Sequence, residues 1–220
     1  MNRMIIILLM LGLAGCVADA KRRMSAETLA PLVKAYAFRE IPKLNPSTQF
    51  KIEEYRVEGL QAALRIQLFL VRYMSADGQQ FNESLLIYRD GKLTPFASAF
   101  GGHGLMSAVM VEDTLYYTYS FGSGIHRSHV GVLSIDDGKM QILESGGHIS
   151  TDLFVRKIEG GIQVEAGQFH RFNSWNPTKV VGRVKRKPSS LAVVDPAGIE
   201  VPSFLTTRKG IQQPTEPDKK

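Results

Sequence analysis

Histidines are the residues of this 220-residue chain whose side chains are best suited to metal binding or proton transfer. Two of them follow glycine pairs, as Gly101-Gly102-His103 and Gly146-Gly147-His148, which is typical of loops. Zinc needs three or four converging ligands, and neither HExxH nor a comparable spacing occurs. We therefore predict ordinary histidines, no metal site and no bound cofactor. The five are His103, His126, His129, His148 and His170.

A serine and a histidine in the glycine-rich segment Phe121-Gly122-Ser123-Gly124 to His126 are close enough in sequence to form a proton relay. The segment does not match the Gly-x-Ser-x-Gly elbow of serine hydrolases. A hairpin loop explains the same glycines. A hydrolase acting on a glycan or an ester therefore stays as the alternative function, with no catalytic residue assigned.

Aromatic and polar side chains alternate in the segment from Gln168 to Pro177, which holds the only Trp of the chain. Such mixtures suit glycan or peptide recognition, because the rings supply contact area and the polar groups supply direction. The segment has the composition of a loop, and a Trp that plugs the edge of a sandwich is favoured over a binding role, because most Trp side chains are mainly buried. The candidate binding residues are Phe169, His170, Arg171, Phe172 and Trp175.

Five cations and no acid lie between Lys179 and Pro188, and Arg183 and Arg186 among them complete the candidate binding surface. Such a run favours an anionic lipid, a lipopolysaccharide phosphate or an acidic partner. A charged edge strand that prevents sheet-to-sheet aggregation explains the run equally well. The chain has a formal net charge of +6, but its N-terminal segment argues against a nucleic-acid partner.

That segment has one early cation, Arg3, and an apolar run from Met4 to Ala14 that is too short to span a bilayer. Leu13-Ala14-Gly15-Cys16 follows and resembles the lipobox of bacterial lipoproteins. The resemblance implies diacylglyceryl transfer to the Cys16 thiol and cleavage before it. In such lipoproteins an Asp directly after the lipidated cysteine implies retention in the inner membrane. Val17 stands at that position, so the resemblance also implies an outer-membrane anchor that faces the periplasm. Cys16 is the only cysteine, so catalysis by a thiol is excluded.

The remaining pattern predicts an all-β domain preceded by one amphipathic helix. Helical spacing runs from Thr28 to Glu40, with Pro31 in the predicted first turn. Beyond it the apolar period changes to two, and Asp-Gly turns separate short strands. The expected parts are a signal peptide (1–15), a lipidated tether (16–27), the helix with the β domain (28–202) and a disordered tail (203–220).

A weak internal repeat relates Leu86–Leu93 to Leu133–Met140. The spacing resembles that of blades in β-propeller families, yet the chain is long enough for only three to four blades of about 45 residues. We therefore predict a meandering antiparallel sandwich or a barrel-like or propeller-like sheet built from such hairpins. The predicted strands include Leu64–Leu70 and Ile199–Val201.

Composition excludes a disulfide scaffold and a disordered chain, because there is one cysteine and 44% of the residues are hydrophobic. No motif of paired acid and base or of an activated nucleophile stands out. The function that the sequence favours is therefore a non-catalytic envelope lipoprotein that binds a protein or a polymer near the outer membrane.

Overall fold

The computed structural model describes residues 23–41, 43–97, 104–121, 127–148, 152–201 and 206–208. Within these ranges there are two helices, α1 (Ala26–Glu40) and α2 (Leu60–Leu64). The strands are β1 (Gln49–Tyr55), β2 (Gln67–Met74), β3 (Gln80–Arg89), β4 (Lys92–Ala97), β5 (Gly104–Val111), β6 (Thr114–Phe121), β7 (Arg127–Asp136), β8 (Lys139–His148), β9 (Asp152–Ile158), β10 (Gly161–Arg171), β11 (Ser174–Lys187), β12 (Ser190–Val194) and β13 (Thr206–Arg208).

Antiparallel pairing joins the strands into three sheets. The first sheet has the order β1-β2-β3-β4, the second β13-β8-β7-β6-β5 and the third β12-β11-β10-β9. Each is thus a meander of four consecutive strands, and β13 extends the second. The prediction of an all-β, sandwich-like meander with one N-terminal helix is confirmed.

The sheets stack face to face, with the second sheet in the middle and α1 on the far side of the first. Leu68 and Leu70 of β2 pack towards the second sheet, while Phe69 and Val71 pack against α1. Alternate residues of a strand face opposite sides, so β2 is buried on both faces. The opposite face of the second sheet packs on the third through a further apolar cluster.

The internal repeat occupies equivalent positions in the first two sheets. Leu86–Leu93 spans the β3–β4 turn, and Leu133–Met140 spans the β7–β8 turn. In both turns the central Asp and Gly have positive φ, as two-residue hairpins require. Arg89 beside the first turn donates a hydrogen bond to the Gly138 carbonyl in the second at 3.1 Å, so the equivalent turns lie side by side.

Buried side-chain hydrogen bonds add to the contact between the second and third sheets. Ser107 Oγ on β5 accepts from the Val155 backbone N–H on β9 at 2.7 Å and lies 2.8 Å from Thr118 Oγ1. Ser107 and Thr118 are fully buried, so these bonds satisfy polar groups within the apolar stack.

The structure differs from the predicted elements at several boundaries. Leu64 ends α2 instead of starting a strand, because Arg65 adopts the left-handed conformation with φ 55°. Ser25 caps α1 and moves its start to Ala26, which places Pro31 beyond the first turn. Near Ile199 only the isolated bridge from Val194 to Glu200 forms. Strands β1 and β4 were not predicted.

Within the tail that the sequence predicts to be disordered, the structure describes residues 206–208. Thr206–Arg208 forms β13 and pairs with Glu144 to Gly146 of β8. The strand therefore covers part of the β8 edge of the second sheet, which would otherwise present unpaired backbone groups.

Candidate binding face on the third sheet

The predicted aromatic loop is a β-hairpin. Its strands β10 and β11 are long, and the turn contains only Phe172 and Asn173. Asn173 has a φ of 59°, its N–H donates to the Met106 carbonyl at 3.0 Å, and its Oδ1 accepts from the Ala108 N–H at 2.7 Å. The tip of the hairpin is thereby fixed to the edge strand β5 of the second sheet.

Phe172, one of the proposed anchors, is occupied inside the protein. Its ring lies 4.8 Å from that of Tyr55, and it packs against the apolar cluster between the first and second sheets. The hairpin tip therefore contacts residues of both other sheets. Phe172 is not available as an exposed anchor, contrary to what the sequence led us to expect.

Trp175 is likewise engaged by its neighbours on the outer face of the third sheet. Its ring stacks on the fully buried ring of Phe154, with a centroid distance of 4.8 Å and an interplanar angle of 5°. The Arg156 guanidinium lies 5.1 Å from the Trp175 ring, and the indole N–H donates to Glu165 at 2.8 Å. This geometry corresponds to the plugging alternative and not to a free recognition platform.

Glu165 is the centre of this cluster and is only 5% exposed. Its carboxylate accepts two hydrogen bonds from Arg156, at 2.9 and 3.2 Å, and one from Gln163 at 2.8 Å, besides the Trp175 bond. Burial acts to raise the pKa of the Glu165 carboxyl, but these donors outweigh it and hold the pKa below its usual range. The carboxylate therefore stays ionised and fixes the surrounding side chains.

The exposed cations lie further along the same outer face. Arg183, Lys185 and Lys187 occupy alternate positions of β11 and are exposed. Lys187 pairs with Glu200 at 2.7 Å, which lowers the pKa of the Glu200 carboxyl. Arg183 and Lys185 form no ion pair or hydrogen bond within the described part of the chain. The charge of Lys185 also helps to lower the Glu200 pKa, so the face offers Arg183 and Lys185 without a direct ion pair beside Lys187, which has one.

Arg186 does not belong to this surface, although the sequence grouped it there. It points towards the second sheet, where its guanidinium donates to Ser134 Oγ at 3.0 Å and to Thr114 Oγ1 at 3.4 Å. Arg186 is three residues after Arg183 on β11, and residues of a strand that are an odd number of positions apart lie on opposite sides of the sheet. Arg186 therefore contributes to packing between sheets.

The remaining candidates lie at the hairpin end. Phe169 is half-buried opposite Trp175, and His170 and Arg171 are exposed just before the turn. They extend the candidate face towards β5. The structure therefore brings five of the proposed residues onto the outer face or its hairpin end. Phe172 packs in the interior, and Arg186, although exposed, is bonded to the second sheet.

Of the other histidines, His129 stacks on Tyr119, with ring centroids 4.7 Å apart. His103, His126 and the proposed Ser123 relay lie outside the described residues, as do Cys16 and its lipobox. His148 is the last residue of strand β8 and lies opposite Arg127 of β7 in the backbone register, not in a loop as predicted. In the described part of the chain no group of three or more possible ligands is placed to hold a metal ion.

A buried carboxylate that the sequence analysis did not single out lies between the first and second sheets. Glu144 Oε1 accepts from the Tyr117 hydroxyl at 2.6 Å, and Oε2 accepts from Tyr119 at 3.1 Å. Burial, reinforced by the Glu144 charge, raises the pKa of the Tyr117 phenol well above its usual value. The signal available in the sequence was an acid in the same alternating register as Met140 and Ile142, which face that core.

Comparison with known proteins leaves the chain without a match: no family model, no curated protein and no solved structure is similar to it. Among the helices that the structure describes, none has the length and apolar character to cross a bilayer.

Proposed function

We propose that this chain is a lipoprotein of the bacterial outer membrane, facing the periplasm, whose stacked sheets form a non-catalytic binding module. Its partner is a linear anionic polymer of the envelope, bound on the outer face of the third sheet. The row of exposed cations on β11 carries the proposal, because this face is covered by no other layer of the described residues.

The spacing of the cations suits a polymer. Same-face residues of a strand lie about 6.6 Å apart, so Arg183, Lys185 and Lys187 form a straight row about 13 Å long. Anionic groups that repeat along an extended chain can follow such a row. Salt-dependent, largely electrostatic binding is expected of a contact of this kind.

A folded protein partner is less well supported by the same face. Protein interfaces depend on a few apolar or aromatic anchors in desolvated pockets. Trp175 is held by Phe154 and Arg156, and Val180 is the large hydrophobic residue of β11 that is strongly exposed, at 47%. A second copy of the chain stacked on this face would oppose cations to cations, which is unfavourable.

The place where the chain enters the fold sets the orientation relative to an anchor at Cys16. Met24 exchanges hydrogen bonds with Gln67 of β2, and Arg23 lies 3.6 Å from Glu54 of β1, so the entry is at the first sheet. Two sheet spacings of about 10 Å separate this sheet from the third. The basic row then lies on the side remote from the entry point.

The anchor is tested by Cys16→Ser in the full-length chain. We expect metabolic palmitate labelling to disappear and the protein to leave the outer-membrane fraction or to accumulate as an uncleaved precursor. Labelling that persists in Cys16→Ser, or a wild-type chain that takes up no palmitate, would show that the lipobox assignment is wrong.

The binding face is tested with the lipidated protein in detergent on immobilised heparin and on immobilised polygalacturonate. We expect Arg183→Glu/Lys185→Glu to elute at a much lower salt concentration than the wild type. The matched control is Lys51→Glu/Lys139→Glu, which changes the net charge equally at exposed positions elsewhere. If both variants elute at equally lowered salt concentrations, net charge alone determines the binding and the proposed face is contradicted.

The hydrolase alternative adds no second proposal. It depends on the glycine–histidine segments 101–103 and 146–148 and on the serine–histidine segment 122–126. The first and the last fall outside the described residues, and 146–148 belongs to strand β8 instead of the expected loop.

A further inference from the structure

A groove of about 490 Å³ lies between α1 and the β3–β4 turn, on the side of the molecule opposite the basic row. Volumes of this size are typical of small-ligand sites, about 300–1,000 Å³. Its wall combines apolar side chains with cations at one end. The lining includes Leu32, Ala35, Tyr36 and Arg39 from α1, and Lys92 and Leu93 from the start of β4.

The outer side of α1 carries two large apolar side chains in solvent. Leu32 and Phe38 are each 38% exposed, on a helix whose other apolar face is fully buried against the first sheet. The Lys34 ammonium lies 6.0 Å from the Phe38 ring centroid. Apolar residues flanked by cations on one helix side are the composition of a membrane-interface contact.

The charged residues that line the groove are Arg39, Glu40 and Lys92, so the lining has one more cation than acid. Arg39 pairs with Glu40 at 2.6 Å, and both remain exposed. Lys92 lines the groove from β4 and is the lining cation left without an ion pair in the described part of the chain, whereas Lys34 lies beside Phe38 and outside the groove. The balance favours an anionic headgroup at this end, close to the apolar wall formed by Leu32 and Leu93.

The length of chain before α1 places this surface near the proposed anchor. Arg23 is seven residues after Cys16, a span of at most about 25 Å when fully extended. The α1 cap, Ser25, follows two residues later, so α1 begins close to the tether. Lys21 and Arg22 in the tether add further attraction to an anionic surface.

We propose that α1 rests on the leaflet that holds the lipid anchor, and that an anionic phospholipid of this leaflet occupies the groove. Its phosphate lies between Arg39 and Lys92, and its acyl chain lies along Leu32, Ala35 and Leu93. Phe38 enters the interface beside it. This inference rests on the proposed anchoring at Cys16, and it orients the basic row of β11 away from the membrane.

The test uses the lipidated protein reconstituted into phosphatidylglycerol and phosphatidylethanolamine vesicles with brominated acyl chains. Because Cys16 is blocked by the lipid, the single variants Leu32→Cys, Phe38→Cys and Val180→Cys each carry one polarity-sensitive fluorophore. We expect at least roughly twofold quenching at positions 32 and 38, since interfacial helices bury their apolar face by about 5–10 Å. Position 180, on the third sheet, should keep its fluorescence.

Flotation of the vesicles separates the two proposals. A protein that floats but shows no quenching at 32 and 38, or equal quenching at 180, contradicts the membrane-resting surface and leaves the anchor intact. A protein that does not float contradicts the anchor and the inference with it.

The headgroup is tested on the labelled Leu32→Cys protein. Lys92→Glu should weaken quenching in phosphatidylglycerol vesicles, whereas Lys139→Glu, also exposed but on the β7–β8 hairpin, should not. Quenching that is unchanged by Lys92→Glu, or equally strong in neutral phosphatidylcholine vesicles, would show that no anionic lipid occupies the groove.

Discussion

Tyr117 reaches Glu144 across an intervening strand, and the residue between them is a glycine. Tyr117 of β6 pairs with Gly131 of β7, which pairs in turn with Glu144 of β8. The Tyr117 hydroxyl still donates to the Glu144 carboxylate at 2.6 Å. The Tyr117 ring crosses directly over the Gly131 Cα. Because Gly131 has no side chain, residues of β6 and β8 can touch across β7.

Gly131→Ala should therefore be strongly destabilising. A Cβ at position 131 would lie 2.2 Å from Tyr117 Cζ, and the buried ring cannot move away without breaking its hydrogen bond. We expect a loss of about 1–3 kcal/mol in the free energy of unfolding, measured by urea denaturation. For comparison, Gly138→Ala creates no clash, because a Cβ at position 138 meets no atom within 4 Å, and its φ of 75° means that any loss there reports backbone strain alone. A Gly131→Ala protein as stable as the wild type would show that Tyr117 does not occupy this position.

Asn173 is expected to fix the β10–β11 hairpin to the second sheet. Asn173→Gly keeps the left-handed backbone but removes the Oδ1 acceptor of the Ala108 N–H, leaving a part-buried donor unpaired. We expect a loss of about 1–3 kcal/mol in the free energy of unfolding. Asn173→Asp keeps an acceptor oxygen and tolerates the same backbone, so it should lose much less. Equal losses in the two variants would show that the side-chain bond does not matter.

The sequence predicted the architecture well because period and turn chemistry are local. The Asp-Gly turns at Asp90-Gly91 and Asp137-Gly138 mark equivalent hairpins, and the repeat between them predicted the meander of the first two sheets. Strand β1 was missed because its residues alternate between exposed and half-buried and carry several charges. Its pairing with β2, a long-range contact, determines its structure.

The members of the candidate face were harder to predict, because the side of the sheet on which a residue lies depends on the register of its strand. Arg183 and Arg186 belong to one basic run, yet only Arg183 lies on the outer face. Bulges in the β10–β11 pairing, between Val164 and Glu165 and between Ala166 and Gly167, shift the register and are not visible in composition. Phe172 reaches Tyr55, more than a hundred residues earlier, and local pattern does not encode such a contact.

Trp175 should behave as a structural residue. Trp175→Ala removes the stack on Phe154 and the N–H bond to Glu165, and we expect a loss of about 3–5 kcal/mol in the free energy of unfolding. This outcome is the one expected of a Trp that plugs the sheet edge, and not of an exposed binding residue. Trp175→Phe preserves stacking and should lose clearly less. The test is a pair of urea titrations, and a stable Trp175→Ala protein would restore Trp175 as a binding residue.

Acid should weaken the third sheet through Glu165. Its pKa in the folded protein is lowered below the ordinary 4.5 by the bonds from Arg156, Trp175 and Gln163, which outweigh the opposing effect of burial. A carboxyl whose pKa is lower in the folded state contributes stability that is fully present above the unfolded pKa. The contribution is lost as pH falls through the folded pKa.

Stability measured between pH 7 and pH 3 should therefore decline less steeply in Glu165→Gln, which keeps the shape but cannot titrate. Glu159→Gln, at an exposed turn, is the matched control and should follow the wild-type profile. If the profiles of stability against pH are parallel for wild type and Glu165→Gln over this range, Glu165 titrates alike in the folded and unfolded chains.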